Sequence, residues 1–334
     1  MPNGSRIAFE RVSPHPYLPR VPGTFFSVLT ANPAVVEFKG ETLLFFRGQD
    51  ETGADQIGLW KTPSDQVDGV TWATQFPEPV IPVSTDPGAP DQSYILDPAV
   101  VARGDSLFVY YTGKTNGADT FSTVSLAIST DGETFEKWEG NPVLRDAIAP
   151  EVVLHDGTFY LFYQRLHPDR YWEVYVATSR DGVTFDVENE RKVFGPSREA
   201  GAFDEHSVAT VRIVLEDGIF YMTYAACREY LDYPESIGLA RSRDLVTWER
   251  YPGNPVFERG APGTWDEGAL WFPEVQRVDG RYLMWYEGTG AGLGMASQAA
   301  REASRLARDE DYGGYRTTSF SQIGLAVFEG DLGW

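Results

Sequence analysis

Cysteine, histidine, lysine and long apolar runs are all scarce in this chain of 334 residues. The single cysteine, Cys227, allows no intrachain disulfide and no thiolate metal cluster. Stability must therefore come from an ordinary core, which a chain of this length can bury. Histidine occupies four positions, with no His-x-x-x-His pair, and no acidic calcium-loop spacing occurs. Only five of the 28 bases are lysine, and 49 acids bring the formal charge to −21. Charge of that sign repels polyanions at long range, so neither nucleic acid nor an anionic membrane surface is an expected partner. No stretch of about 18 apolar residues is present to cross a membrane as a helix. Met1-Pro2-Asn3-Gly4-Ser5-Arg6 holds no apolar segment of the signal-peptide kind, and the expectation is a cytoplasmic protein.

What the chain does have is a repeat rich in aromatics. Five segments run from a short apolar strand through a turn to an aromatic strand. They are Ala34-Val35-Val36 to Phe45-Phe46-Arg47, Ala99-Val100-Val101 to Val109-Tyr110-Tyr111, Glu151-Val152-Val153 to Leu161-Phe162-Tyr163, Arg212-Ile213-Val214 to Met222-Thr223-Tyr224, and Glu274-Val275-Gln276 to Met284-Trp285-Tyr286. The turns between them, such as Asp156-Gly157, Asp217-Gly218 and Asp279-Gly280, read as hairpins. A third strand follows, as in Ile237-Gly238-Leu239-Ala240 and Ile323-Gly324-Leu325-Ala326. Three units then close on Ser-x-Asp-[Gly/Leu]-x-Thr-[Phe/Trp], at Ser129 to Phe135, Ser179 to Phe185 and Ser242 to Trp248, with Asp68 to Trp72 a degraded copy. In such a turn the Ser and Asp side chains bond backbone groups, and the aromatic is expected to plug a neighbouring strand.

Four strands per unit at starts of 34, 99, 151, 212 and 274 predict an all-β, five-bladed β-propeller spanning residues 1–334 as one domain. The fifth unit lacks a fourth strand at its C-terminal end. Phe9-Glu10-Arg11 resembles Trp248-Glu249-Arg250 at the end of the fourth unit, so residues 7–18 are expected to complete the last blade and remove an open sheet edge. Residues 291–318 interrupt the pattern, and Met295 to Arg308 within them reads as a short helical insertion.

Aligning the repeats brings acids to matching positions. Asn32 in Asn32-Pro33 matches Asp97 in Asp97-Pro98, while Glu151 and Glu274 stand two residues later in the frame, an offset that keeps one strand face. Phe203-Asp204-Glu205-His206 parallels Trp265-Asp266-Glu267, with Asp91 at the matching place in the second unit. Carboxylates crowded into one mouth must be neutralised, protonated or paired. Beside aromatics they suit a sugar, and Trp271 and Tyr94, just ahead of inner strands, are the expected stacking platforms. Two carboxylates in unlike environments also meet the needs of glycosidic cleavage, one acid and one base or nucleophile.

These motifs resemble the five-bladed propeller glycosidase superfamily of glycoside hydrolase families 43, 32, 68, 117 and 130, and family 130 most closely. The likeness to family 130 rests on Asn32-Pro33, on Arg47 ending the next strand, on Asp97-Pro98, and on Pro150-Glu151 with Arg165 ending its following strand. The resemblance implies that Asp97 is the general acid. Families 43 and 32 place an essential Asp where this chain has Asn32, and the fourth repeat is unlike the phosphorylases of family 130.

Family 130 holds both hydrolases and phosphorylases. Phosphate would need a cationic cradle, with Arg47, Arg165 and Arg212 the candidates. Glu205, Glu267 and Glu274 would crowd a dianion and activate water instead. The expectation is an exo-acting, inverting hydrolase of oligosaccharides, with Asp97 as acid and Glu205 or Glu267 as base. Asn32, Arg47, Glu151, Arg165, His206, Trp271 and Glu274 are expected to bind substrate. The alternatives are a phosphorylase and a non-catalytic sugar-binding propeller. No cofactor is expected to be required; some family 43 relatives hold Ca2+ in the central channel, and the metal ligands here are left open, as is the oligomeric state.

Overall fold

A computed structural model describes residues 6–114, 122–229, 231–290 and 321–334. Segment 291–318, where the helical insertion was expected, lies outside the described residues. The described chain is β-structure, with one 3-10 turn at Ser64–Gln66. It packs as two compact units: the described parts of Met1–Pro19, Leu166–Glu173 and Val193–Trp334 make one, and Arg20–Arg165 with Val174–Lys192 the other.

Each sequence repeat is an antiparallel meander. Leu29–Phe38, Glu41–Gln49, Asp55–Pro63 and Thr74–Gln75 pair in turn. Tyr94–Arg103, Ser106–Lys114, Thr123–Ser129 and Glu136–Lys137 do the same. Ile148–His155, Thr158–Leu166, Trp172–Ser179 and Arg191–Phe194 form a third sheet. Ser207–Glu216, Ile219–Cys227, Ser236–Ser242 and Glu249–Arg250 form the next. Ala269–Val278, Arg281–Thr289 and Gln322–Glu329 end the chain's run of strands. The fourth strand of that last sheet is N-terminal, as the sequence match requires: Glu10 pairs with Val327 and Arg11 with Ala326. The amides of Val12 and Tyr17 continue the contact to the carbonyls of Leu325 and Ile323 at 2.9 and 2.7 Å. The edge groups of Gln322–Glu329 are thereby paired instead of left open.

One buried arrangement recurs through these sheets. An aspartate in the loop before the inner strand accepts a tyrosine hydroxyl from the second strand and a cation from the fourth. Asp91 takes Tyr111 at 2.9 Å and Lys137 at 2.7 Å. Asp204 takes Tyr224 at 3.3 Å and Arg250 at 2.8 Å. Asp266 takes Tyr286 at 3.0 Å and Arg11 at 2.7 Å. All three aspartates are buried, so each carboxylate requires its partners. Burial first, and the neighbouring carboxylate second, push the three tyrosine hydroxyls far above their ordinary range. The Ile-Gly-Leu-Ala pattern follows from the same contact. Gly238 and Gly324 lie across from Tyr224 and Tyr286, and a Cβ at Gly238 would fall 2.3 Å from Tyr224 Cζ. The first repeat replaces the polar triple with rings: Phe25 stacks on Phe46 and Phe26 meets it edge-on, over Gly58.

The Ser-x-Asp turns behave as read. Asp131, Asp181 and Asp244 each accept two backbone amides, for example Val183 and Thr184 on Asp181 at 2.9 and 2.8 Å, plus a serine hydroxyl. The turn aromatic packs on the preceding repeat, Phe135 against Phe45 and Phe185 against Tyr110. Amides of Thr134 and Glu133 hold Asp131 well below the usual carboxylate range, and that of Thr247 lowers Asp244. Against the burial that would raise it, the amides of Thr184 and Val183 hold Asp181 down at about 2.

Two outcomes follow for stability. Arg11→Ala strands the buried Asp266 carboxylate and should lower unfolding free energy by about 3 kcal/mol in urea titrations, with Arg11→Lys recovering part of it. Because the turn aspartates are more acidic folded than unfolded, their contribution is intact above about pH 4 and is lost as pH falls toward 2. Melting temperature by circular dichroism should drop across that window, and less steeply in Asp181→Asn.

Candidate active site

The inner strands share one defect. Pairing slips between Ala31 and Ala34, Leu96 and Ala99, Ile148 and Glu151, Ala209 and Arg212, and Trp271 and Glu274. Inside each slip one residue takes a left-handed backbone: Asn32 at φ 50°, Asp97 at 56°, Ala149 at 49°, Thr210 at 44° and Phe272 at 48°. A proline follows in four of the five, Pro33, Pro98, Pro150 and Pro273, and lacks the N–H needed to continue the ladder. Asn and Asp accept this conformation readily, whereas Ala, Thr and Phe are strained in it. Side chains of neighbouring repeats hold three of these residues by their amides. Asp97 N–H donates to Asn32 Oδ1 at 3.2 Å, Ala149 N–H to Thr112 Oγ1 at 2.9 Å, and Phe272 N–H to Thr210 Oγ1 at 3.0 Å.

These bulges confirm the alignment frame. Asn32 and Asp97 share the left-handed position, and Glu151, Arg212 and Glu274 share the position two residues on. Bulges re-aim side chains, and here each inner strand turns its own residue at the slip. Asp97 is buried, and among the described residues nothing donates a hydrogen bond to its carboxylate. That sets it apart from Asp91, Asp204 and Asp266, which are all paired.

The three candidate arginines each face a carboxylate. Arg47 Nε meets Asp55 at 2.6 Å, both groups buried, and Gln49 joins the same oxygen at 3.1 Å. Arg165 pairs with Glu190, which also accepts the Tyr163 hydroxyl. Arg212 Nε meets Glu274 at 2.9 Å and its guanidinium lies 4.9 Å from the Phe272 ring centre. Glu205 and Glu267 are half-buried and engage their own loops, Glu205 accepting Gly201 N–H at 2.6 Å and Glu267 accepting Gly263 N–H. His206, also half-buried, donates its amide to the Cys227 carbonyl at 3.1 Å. Asn32, Arg47, Asp97, Glu151 and Arg165 belong to the Arg20–Arg165 unit, and Glu205, His206, Glu267, Trp271 and Glu274 to the other.

No family model matches the chain. Two curated proteins are each 28% identical to it. The uncharacterized protein Rv1502 of Mycobacterium tuberculosis aligns over 273 residues, 75% of this chain and 84% of its own length. A 1,2-beta-oligomannan phosphorylase of Thermoanaerobacter sp. aligns over 155 residues, 44% and 47%. Among solved structures, an N-acetylgalactosamine deacetylase from F. plautii, in complex with blood group B trisaccharide, matches with TM-score 0.68 at 16% identity, covering 96% of this chain and 95% of that one. A family 130 protein, from a study of glycoside hydrolases that target β-1,2 mannosidic linkages in Candida mannan, matches with TM-score 0.66 at 14% identity, over 98% and 96%. The fold is that of the β-propeller glycosidases. A fold of this kind hosts more than one reaction, so activity has to be argued from side chains.

Of the aromatics, Trp285 and Tyr286 are core, and Trp265 stacks on Tyr286 with ring centres 5.7 Å apart. Trp172 is buried, and Tyr171 sits against the His167 ring and under the Arg198 guanidinium at 3.6 Å. Tyr94 and Trp271 keep partial exposure. Among the described residues, no group of three or more His, Cys, Asp or Glu side chains has the arrangement of a metal site. Sequence reasoning missed Asp55, Glu190 and Asp232, which partner Arg47, Arg165 and Trp271. None stands in a repeated motif, so spacing carried no signal for them.

The bulge makes a graded prediction at Asn32. Asn32→Gly keeps the left-handed backbone and removes the acceptor for Asp97 N–H, which should cost about 1 kcal/mol. Asn32→Ala adds backbone strain and should cost about 2–3 kcal/mol in urea unfolding.

Proposed function

We propose that this chain is an inverting, exo-acting glycoside hydrolase of short oligosaccharides, with β-1,2-linked mannosides the first substrates to try. The observation that carries hydrolysis over phosphorolysis is the neutralised state of Arg47, Arg165 and Arg212, each already opposed by a carboxylate. A phosphate dianion needs cationic donors with charge to spare. Water carries no such requirement, and the glutamates that would repel phosphate can act on it. The mannoside preference is taken from the oligomannan phosphorylase and the β-1,2-mannoside hydrolase structure among the chain's likenesses.

In this reading Asp97 is the acid. Its buried carboxyl, with no ion-pair partner among the described residues, would donate the proton to the glycosidic oxygen. As the bond from that oxygen to the anomeric carbon breaks, water attacks the same carbon from the opposite face. Glu205 or Glu267 takes the water's proton, so one step inverts the anomer and leaves both sugars neutral. Asn32, Glu151 and Glu274 offer hydroxyl partners, and Arg47, Arg165, His206 and Trp271 complete the binding set.

Asp97→Asn is the informative variant, because Asn32 already occupies the equivalent left-handed position and asparagine fits it. The expected outcome is a kcat about a thousandfold lower with an unchanged melting temperature. Undiminished turnover in that variant rules the acid assignment out. Wild-type hydrolysis of β-1,2-mannobiose should proceed in phosphate-free buffer, with proton NMR showing the α-anomer first. Strict phosphate dependence, with a sugar 1-phosphate as product, would establish the phosphorylase instead.

A further inference from the structure

The loop between Ile219–Cys227 and Ser236–Ser242 brings an acid to the edge of one indole. Trp271 Nε1–H donates to Asp232 Oδ1 at 2.9 Å. The adjacent Tyr233 ring meets the indole edge-on, with centroids 5.8 Å apart and planes at 89°. The loop is anchored at both ends. Tyr233 N–H reaches Cys227 Sγ at 3.3 Å, Glu235 N–H reaches the Ala226 carbonyl at 3.0 Å, and Arg228 N–H reaches the Glu235 carboxylate at 3.1 Å. Buried Cys227 thus serves as a fixed point for the segment that carries Asp232.

Trp271 itself is half-buried between the buried Leu270 and Phe272, one residue ahead of the bulge and three ahead of Glu274. Its N–H is engaged by Asp232 while the residue keeps partial exposure, so a ligand would meet ring carbons and not the N–H. Its cross-strand partner is Glu287, a buried carboxylate that accepts the Ser321 hydroxyl at 2.6 Å. Cross-strand partners project from the same side of a sheet. A fixed aromatic face beside a carboxylate matches the C–H face and the hydroxyls of a pyranose.

We infer that Asp232 is a positioning residue that holds the Trp271 indole as a stacking platform for one sugar ring of the substrate. This rests on the glycoside reading above and adds to it a residue that touches no substrate. Orienting an aromatic by its N–H removes its rotational freedom before the sugar arrives, which lowers the entropy lost on binding.

The test separates the post from the platform. In full-length protein labelled with 15N at tryptophan, the Trp271 indole proton, assigned by its absence in Trp271→Phe, should exchange with solvent about tenfold faster in Asp232→Ala than in wild type. With β-1,2-mannobiose as substrate, Asp232→Ala and Trp271→Ala should each raise KM about tenfold with kcat within about twofold of wild type. Asp232→Asn, which retains the Oδ1 acceptor, should stay near the wild-type KM. The double variant Asp232→Ala/Trp271→Ala should be no worse than Trp271→Ala alone, because the aspartate acts through the indole. An unmoved KM or indole exchange rate in Asp232→Ala, or additive losses in the double variant, overturns the inference and leaves the hydrolase reading standing. If wild type ignores mannobiose but cleaves another glycoside from an aryl-glycoside panel, that glycoside becomes the probe for the same comparisons. Failure on every glycoside overturns the hydrolase reading and the platform together.

Discussion

The buried contact of an aspartate with a tyrosine hydroxyl and a cation is the interaction on which three of the five repeats depend. Each partner comes from a different element: the loop before the inner strand, the second strand, and the outermost strand. The aspartate carboxylate is not tolerable in the interior without the other two. The contact fixes which strand lies outermost, and beneath Tyr224 and Tyr286 it leaves room only for glycine. It also explains why the N-terminal segment ends where it does. Arg11 does for Asp266 what Arg250 does for Asp204 and Lys137 for Asp91, although it comes from the opposite end of the chain. The first repeat reaches the same geometry with packed phenylalanines, an exchange of ions for rings that packing permits.

The second constraint is the left-handed bulge of the inner strand. Proline starves the ladder of a donor and a neighbouring side chain receives the stranded amide. This places residues of unlike chemistry, Asn32, Asp97, Glu151, Arg212 and Glu274, at two adjacent positions of a common frame. The backbone is therefore repetitive while the side chains it carries are not. Strain at Ala149, Thr210 and Phe272 is the cost of that uniformity, and it falls on residues beside the candidate site.

The net charge of −21 takes on a different meaning once the pairs are seen. Acids outnumber bases so strongly that the arginines near the inner strands are matched one by one with Asp55, Glu190 and Glu274. The acidic pairs Asp204-Glu205 and Asp266-Glu267, aligned with one another in the sequence, divide by their contacts. The aspartates are interior ion-pair partners, and the glutamates brace their own loops.

The strand repeat, the hairpins, the Ser-x-Asp turns and the N-terminal closure of the last sheet were all legible in the order of residues. These are written in local patterns, glycine and asparagine where φ must be positive and aromatics where rings pack, and local patterns are legible without coordinates. The same order also aligned Asn32 with Asp97 and Glu151 with Glu274, because repeats share a frame. Only the tertiary structure decided which charges are neutralised. Asp55, Glu190 and Asp232 stand 8, 25 and 39 residues from the side chains they serve, in no repeated register. An ion pair or an indole hydrogen bond depends on distance in space, and a one-dimensional pattern carries that distance only where the chain repeats it.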